Sequence, residues 1–234
     1  MARTSANKTA GGGASDTAAS LWRALTDRLE GLGEWLAPLF LRFIMAWEFG
    51  EAGFEKLHGE NWFSHVRDDF PFPFSVVSTD ISWLMATWFE IVGAFALALG
   101  LFTRFFSFSL LILTFVATAA VHWPDSWSSL SELWQGYAIT DNGEGNFKLP
   151  LLFAVILVPL VLNGPGKLSL DHLLGRIWLP APGAPRTDGL SWSLAGVAFG
   201  LPLATLFPAV GLLLAAAGIA GIVVTWFRGG MQSP

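Results

Sequence analysis

From Ile81 to Leu101 the chain reads ISWLMATWFEIVGAFALALGL, a stretch whose single charge is Glu90. A helix of that length and polarity crosses about 30 Å of hydrocarbon. Arg104–Trp123 repeats the pattern, Pro38–Leu57 approaches it, and Leu149–Asn163 is a shorter version. The run Leu190–Phe227 is too long for one crossing. Pro202 and Pro208 near its middle divide it into two spans, 191–206 and 208–227, with a single kinked and tilted helix as the alternative. In lipid a helix satisfies its own backbone polar groups. The sequence therefore predicts an all-α fold, a polytopic helical membrane bundle of six spans.

Composition agrees. Only 13% of residues are charged, against about 25% in soluble domains. No basic patch with interleaved aromatics stands on a soluble segment, which excludes nucleic acid as a partner and leaves the lipid bilayer as the first one. Cysteine is absent, which removes disulfides, thiol nucleophiles, cysteine-held clusters and c-type haem. NGEGNF and GPGKLS are turn sequences without the spacing of a phosphate loop.

Residues 1–20 are rich in Gly, Ala, Ser and Thr and lack an apolar core, so they read as a disordered tail and not a signal peptide. Residues 21–35 place Leu21, Leu25, Leu29 and Leu32 at helical spacing between charges, with Trp22 and Trp35 beside them. That is an amphipathic helix for the membrane surface, or one packed on the protein's own loops. A membrane core over 36–175, a linker over 176–189, an apolar hairpin over 190–228 and a tail over 229–234 complete the division. With the N-terminus inside, nine Lys and Arg fall on inner segments and three, Lys56, Arg67 and Lys148, on outer ones. This bias puts both termini in the cytoplasm.

Polar residues inside the spans carry the functional question. Glu48, Glu51 and Glu55 fall within about a 60° arc of one helix. Glu90 sits mid-span, Arg42 and Arg104 lie towards inner ends, and Lys56 towards an outer end. The outer face then gathers Glu51, Glu55, Lys56, His58, His122 and Trp123 as a candidate ligand site. Four readings apply. The acids pair with neighbouring helices and lock the bundle. Alternatively, His58, His65 and His122 with a glutamate hold a metal such as Cu(II) or zinc, although a soft Cu(I) site would have only Met45 and Met85 within the spans. Or Trp47, Trp62, Trp83, Trp88 and Trp123 wall a pocket for a quinone or similar amphipathic ligand, with His and Glu handling protons. The last reading is a transport path, for which no inverted repeat is visible.

Three segments carry a resemblance. LRFIMAWEFGEAGFEKL resembles the first helix of the DoxX family. FEIVGAFALALGLFTRFFSFSLLILTFVATAAVHW is similar to its second and third helices, with the acid–x–x–Gly, the Gly-Leu-x-Thr-Arg turn and a terminal His-Trp. KLPLLFAVILVPLVLNGPGKLSLDHLL resembles its fourth helix and Gly-x-Gly-x-x-Ser-x-Asp ending. The long loop after His-Trp and the NFKLPLL start of the fourth helix look most like the HvfX-like branch. The resemblance implies a four-helix core in a bacterial inner membrane and a role in copper or redox stress homeostasis. It also implies, as partner, a copper-binding modified-peptide system or a larger membrane complex. Other members resemble the small subunit of thiosulfate:quinone oxidoreductase, which implies copper or quinone as the cofactors to consider. The resemblance gives no catalytic mechanism. The C-terminal pair of spans departs from the four-helix pattern.

Overall fold

One helix, α1 (Gly12–His58), runs unbroken for 47 residues in the computed structural model, which describes residues 12–178 and 185–230. The amphipathic segment 21–35 and the first apolar span are therefore one element, although Pro38 lies at their junction. Proline has no N–H, so the carbonyl four residues back loses its helical donor. That carbonyl, on Glu34, accepts instead from the Lys167 backbone N–H at 3.0 Å. The Lys167 ammonium pairs with the Glu34 carboxylate and stands 5.9 Å over the Trp35 ring. A distant loop thus repairs the defect and the helix continues. Leu21, Trp22, Leu25, Leu29 and Leu32 stay exposed, so no described loop packs over them.

The other helices are α2 (Thr79–Leu99), α3 (Thr103–Ala117, continued by a π-helical turn Thr118–His122), α4 (Leu130–Leu133), α5 (Lys148–Asn163), α6 (Leu170–Trp178), α7 (Gly189–Leu203) and α8 (Pro208–Gly230). No strand occurs among the described residues. Thr79–Leu99, Thr103–His122 and Pro208–Phe227 are long and apolar enough to cross a membrane, and α5 and α7 are shorter apolar helices. Of the expected tails and linker, residues 1–11, 179–184 and 231–234 lie outside the described residues. Gly12–Ser20 is helical, which replaces the disorder expected there.

Met45 and Phe49 of α1, Leu97 of α2, Leu110 and Leu111 of α3, and Leu157 and Leu160 of α5 form one buried apolar core. The apolar run 190–227 resolves into two helices packed at backbone distance. A Cβ on Gly200 would lie 2.6 Å from the Ala215 nitrogen, and one on Gly218 2.5 Å from the Ser193 carbonyl oxygen. Such contact needs small residues. Phe207 in the turn between them meets Trp123 at 5.4 Å, which fixes the hairpin tip to the His122 end of the bundle.

At the opposite end, the polar residues of the turn motifs close the helices. Arg42, 1% exposed, donates from Nη1 to the Leu97 and Ala98 carbonyls at 3.0 and 3.3 Å and from Nη2 to Leu168. It caps the C-terminus of α2 with the positive charge that a helix end favours. Gly100 follows with φ +67°, and a Cβ there would run into Arg42 and Ser169. Asp171 accepts from the Phe102 and Thr103 N–H groups at 2.7 and 2.8 Å, capping the start of α3. Arg104 donates to the Val161 and Leu162 carbonyls at 2.5 Å each, capping α5. Arg42 and Arg104 are thus structural caps.

Candidate functional site

The site begins with a close approach of α1 and α2. A Cβ on Gly53 would lie 2.7 Å from Ile91 Cγ1, so only glycine lets the helices meet there. One turn further, the Lys56 ammonium reaches Glu90, at 3.1 Å from Oε1 and 3.0 Å from Oε2. The Lys56 side chain is 18% exposed and that of Glu90 4%. Oε2, though ion-paired, has no aligned hydrogen bond, so the pair is not fully satisfied by the protein.

Beside this pair α2 and α3 part. They touch where Gly93 meets Leu110, a contact in which an added Cβ would lie 3.0 Å from Leu110 Cδ1. Above it lies a cavity of about 390 Å³. Lys56 and Glu90 line it with Ser82, Met85, Ala86 and Phe89 of α2 and Ile112, Val116, Ala117 and Ala120 of α3. Small residues facing each other leave the space. The loop Trp62–Phe74 roofs it with an aromatic cluster: Phe63 lies 5.0 Å from Trp62, 5.3 Å from Phe70 and 5.0 Å from Trp83, edge-on or tilted.

His122 stands at the rim. Its Nδ1 lies 2.8 Å from Asn146 Oδ1, and the Asn146 amide nitrogen donates to the Ile139 carbonyl at 3.3 Å. With that amide orientation Nδ1 carries the proton and Nε2 is left as an acceptor. The Asn146 backbone N–H returns a bond to the His122 carbonyl at 3.0 Å. The NGEGNF turn therefore positions the histidine.

The site joins Lys56 and His122, which the sequence grouped, to Glu90, which it held apart. Glu51 and Glu55 are exposed and Glu48 half-buried. They point about 100° or more around α1 from the face of Met45, Phe49 and Gly53 that meets the bundle. Trp47 and Trp88 face outward, while Trp62 lines the cavity and Trp83 backs it. Trp123 packs instead on Phe147 and Phe207. The metal triad is corrected. His58 bonds the Phe54 carbonyl one turn back and is exposed, His65 is exposed, and His122 is held by Asn146. Among the described residues no three His, Asp or Glu side chains gather around a metal position. Asn146 and Asp171 were not foreseen as positioning residues, although the Ser-x-Asp ending and the NGEGNF turn contain them.

The sequence model of the DoxX family matches residues 37–123. Every residue lining the cavity, from Lys56 to His122, lies inside that match. A Haemophilus influenzae protein described as uncharacterized is 42% identical over 151 residues, covering 64% of this chain and 91% of the relative. No solved structure matches the chain. The shared core, the apolar helices and the length of that relative covered lead to one assignment: the chain belongs to the DoxX family and is a membrane protein.

Proposed function

We propose that this protein binds a quinone-type amphipathic ligand in the cavity between α2 and α3 and serves redox homeostasis in a bacterial inner membrane. The observation that carries the reading is the pairing of an apolar, aromatic-roofed cavity with one ion pair, Lys56–Glu90, at its floor. Sites for small amphipathic molecules combine apolar walls with a few convergent polar groups. A quinone ring has carbonyl oxygens that need donors, and the Lys56 ammonium supplies them. Its reduced form has hydroxyl groups that need acceptors, and Glu90 Oε2 and His122 Nε2 supply those. The proposed arrangement is a four-helix core of α1, α2, α3 and α5 with α7 and α8 as an added pair, six crossings in all, and both termini cytoplasmic by the bias of basic residues.

The copper reading has no such support, because the histidines do not converge. The test is to purify the protein in mild detergent, extract it with organic solvent and identify co-purified lipids by mass spectrometry. Stoichiometric quinone that falls at least tenfold in Lys56→Met supports the reading. A wild-type protein that neither retains nor rebinds quinone sinks it.

A further inference from the structure

The quinone reading leaves open how a ligand reaches a cavity at bilayer depth, and the walls differ enough to answer. The outer end is covered by the Trp62–Phe74 loop, whose Phe63 is only 8% exposed. The opposite end is closed by the contact of Gly93 with Leu110. The floor is buried: Glu90 is 3% exposed, Ala120 6% and Val116 8%. Between α2 and α3 the lining turns outward, with Met85 44% and Val121 38% exposed. These two lips belong to helices long and apolar enough to stand in lipid. Since the helices are antiparallel and Gly93 meets Leu110, Ala86 and Ala117 fall at one level across the slot. Two alanines facing each other keep a slot open where larger residues would fill it.

Resting on the quinone reading, we propose that the ligand is a long-tailed membrane quinone that arrives sideways from the bilayer, between α2 and α3. Its ring docks against Lys56 and Glu90, and its tail stays in lipid between Met85 and Val121. The polar floor admits the ring alone, because the walls of the slot are apolar and offer a tail contacts equal to those it has in the membrane. Access from the water would instead have to pass the aromatic roof.

The full-length protein is placed in nanodiscs of phosphatidylethanolamine and phosphatidylglycerol, and binding of a benzoquinone with a ten-carbon tail is followed by quenching of tryptophan fluorescence. In the wild type the association rate should follow the mole fraction of quinone in the bilayer and fall in proportion when lipid is added at constant total quinone. Ala117→Phe, or Ala86→Phe as a second variant of the same slot, should slow association at least tenfold. Phe72→Ala, in the same loop but 78% exposed and outside the cavity lining, should leave the rate within twofold. A wild-type rate that follows the aqueous concentration overturns the route, as does a faster rate in Phe72→Ala with no change in the slot variants. Either result leaves quinone binding itself standing, whereas a wild type that shows no quenching removes the function and the route together.

Discussion

Lys56 Nζ lies 3.0 Å from Glu90 Oε2, joining the last turns of α1 to the middle of α2 across the position where Gly53 brings the helices together. Removing two charges from water is expensive, and an enclosed ion pair rarely improves on apolar packing of equal volume. Its presence beside a cavity is therefore better explained by what it offers a ligand than by what it adds to stability.

That distinction can be measured. Lys56→Met strands the Glu90 carboxylate and should lower stability by about 3–5 kcal/mol, read as an earlier thermal transition in detergent. Adding Glu90→Leu to it should restore most of the loss, while quinone binding stays absent in both variants. Full binding by the double variant would show that the pair serves the fold alone.

Arg42 should behave in the opposite way. It holds three carbonyl groups and is 1% exposed, far from the cavity. Arg42→Leu leaves those carbonyls without donors and should destabilise by about 3 kcal/mol. Lysine should rescue only partly, because a point charge cannot span acceptors as a guanidinium fork does. Ligand binding per folded molecule should not change, and a loss of binding at full stability would contradict the capping role.

Outside the spans, Asp188 caps α7, accepting from the Ser191 N–H at 2.9 Å with Ser191 Oγ bonded in return. The Ser191 backbone bond, and then its hydroxyl, hold this carboxyl below the ordinary aspartate range. A depressed folded value means that the cap is fully effective above the unfolded pKa of about 3.9 and is lost as pH falls through the folded one. Carboxyl-detected NMR should therefore show Asp188 titrating below a free aspartate, with the Ser191 amide losing protection in the same acid window. Titration at or above the usual value would refute the cap.

The chain has no cysteine, so single cysteines report orientation without background. Ser64→Cys, in the loop over the cavity, should react with an impermeant maleimide added to spheroplasts. Thr187→Cys, before α7, should react only after permeabilisation. The reverse pattern would invert the proposed topology.

Thr79–Leu99, Thr103–His122 and Pro208–Phe227 were legible as membrane-length helices because length and polarity alone decide them, and the division of 190–227 into two helices followed from its prolines. The unbroken α1 was not. Pro38 reads as a break, and its repair depends on Lys167, which nothing in the local sequence connects to Glu34. The acids of α1 show a second limit. Periodicity placed Glu48, Glu51 and Glu55 on one stripe, but it gives relative angles only. Which face meets the bundle is set by Gly53 and Phe49, and Lys56, one residue from Glu55, turns inward while Glu55 stays out. For His122, the neighbouring Trp was visible, but Asn146 is brought to it only by the fold.

An unbroken α1 is a lever with its fulcrum at Pro38. On one side its arm is gripped by the bundle and carries Lys56, and on the other roughly 40 Å of helix runs from Pro38 to Gly12, about 33 Å of it past the Lys167 contact at Glu34. A 5° change in the tilt of the gripped arm moves the far tip by about 3 Å. A shift at the cavity floor too small to see there would be amplified at the other end of the same rod.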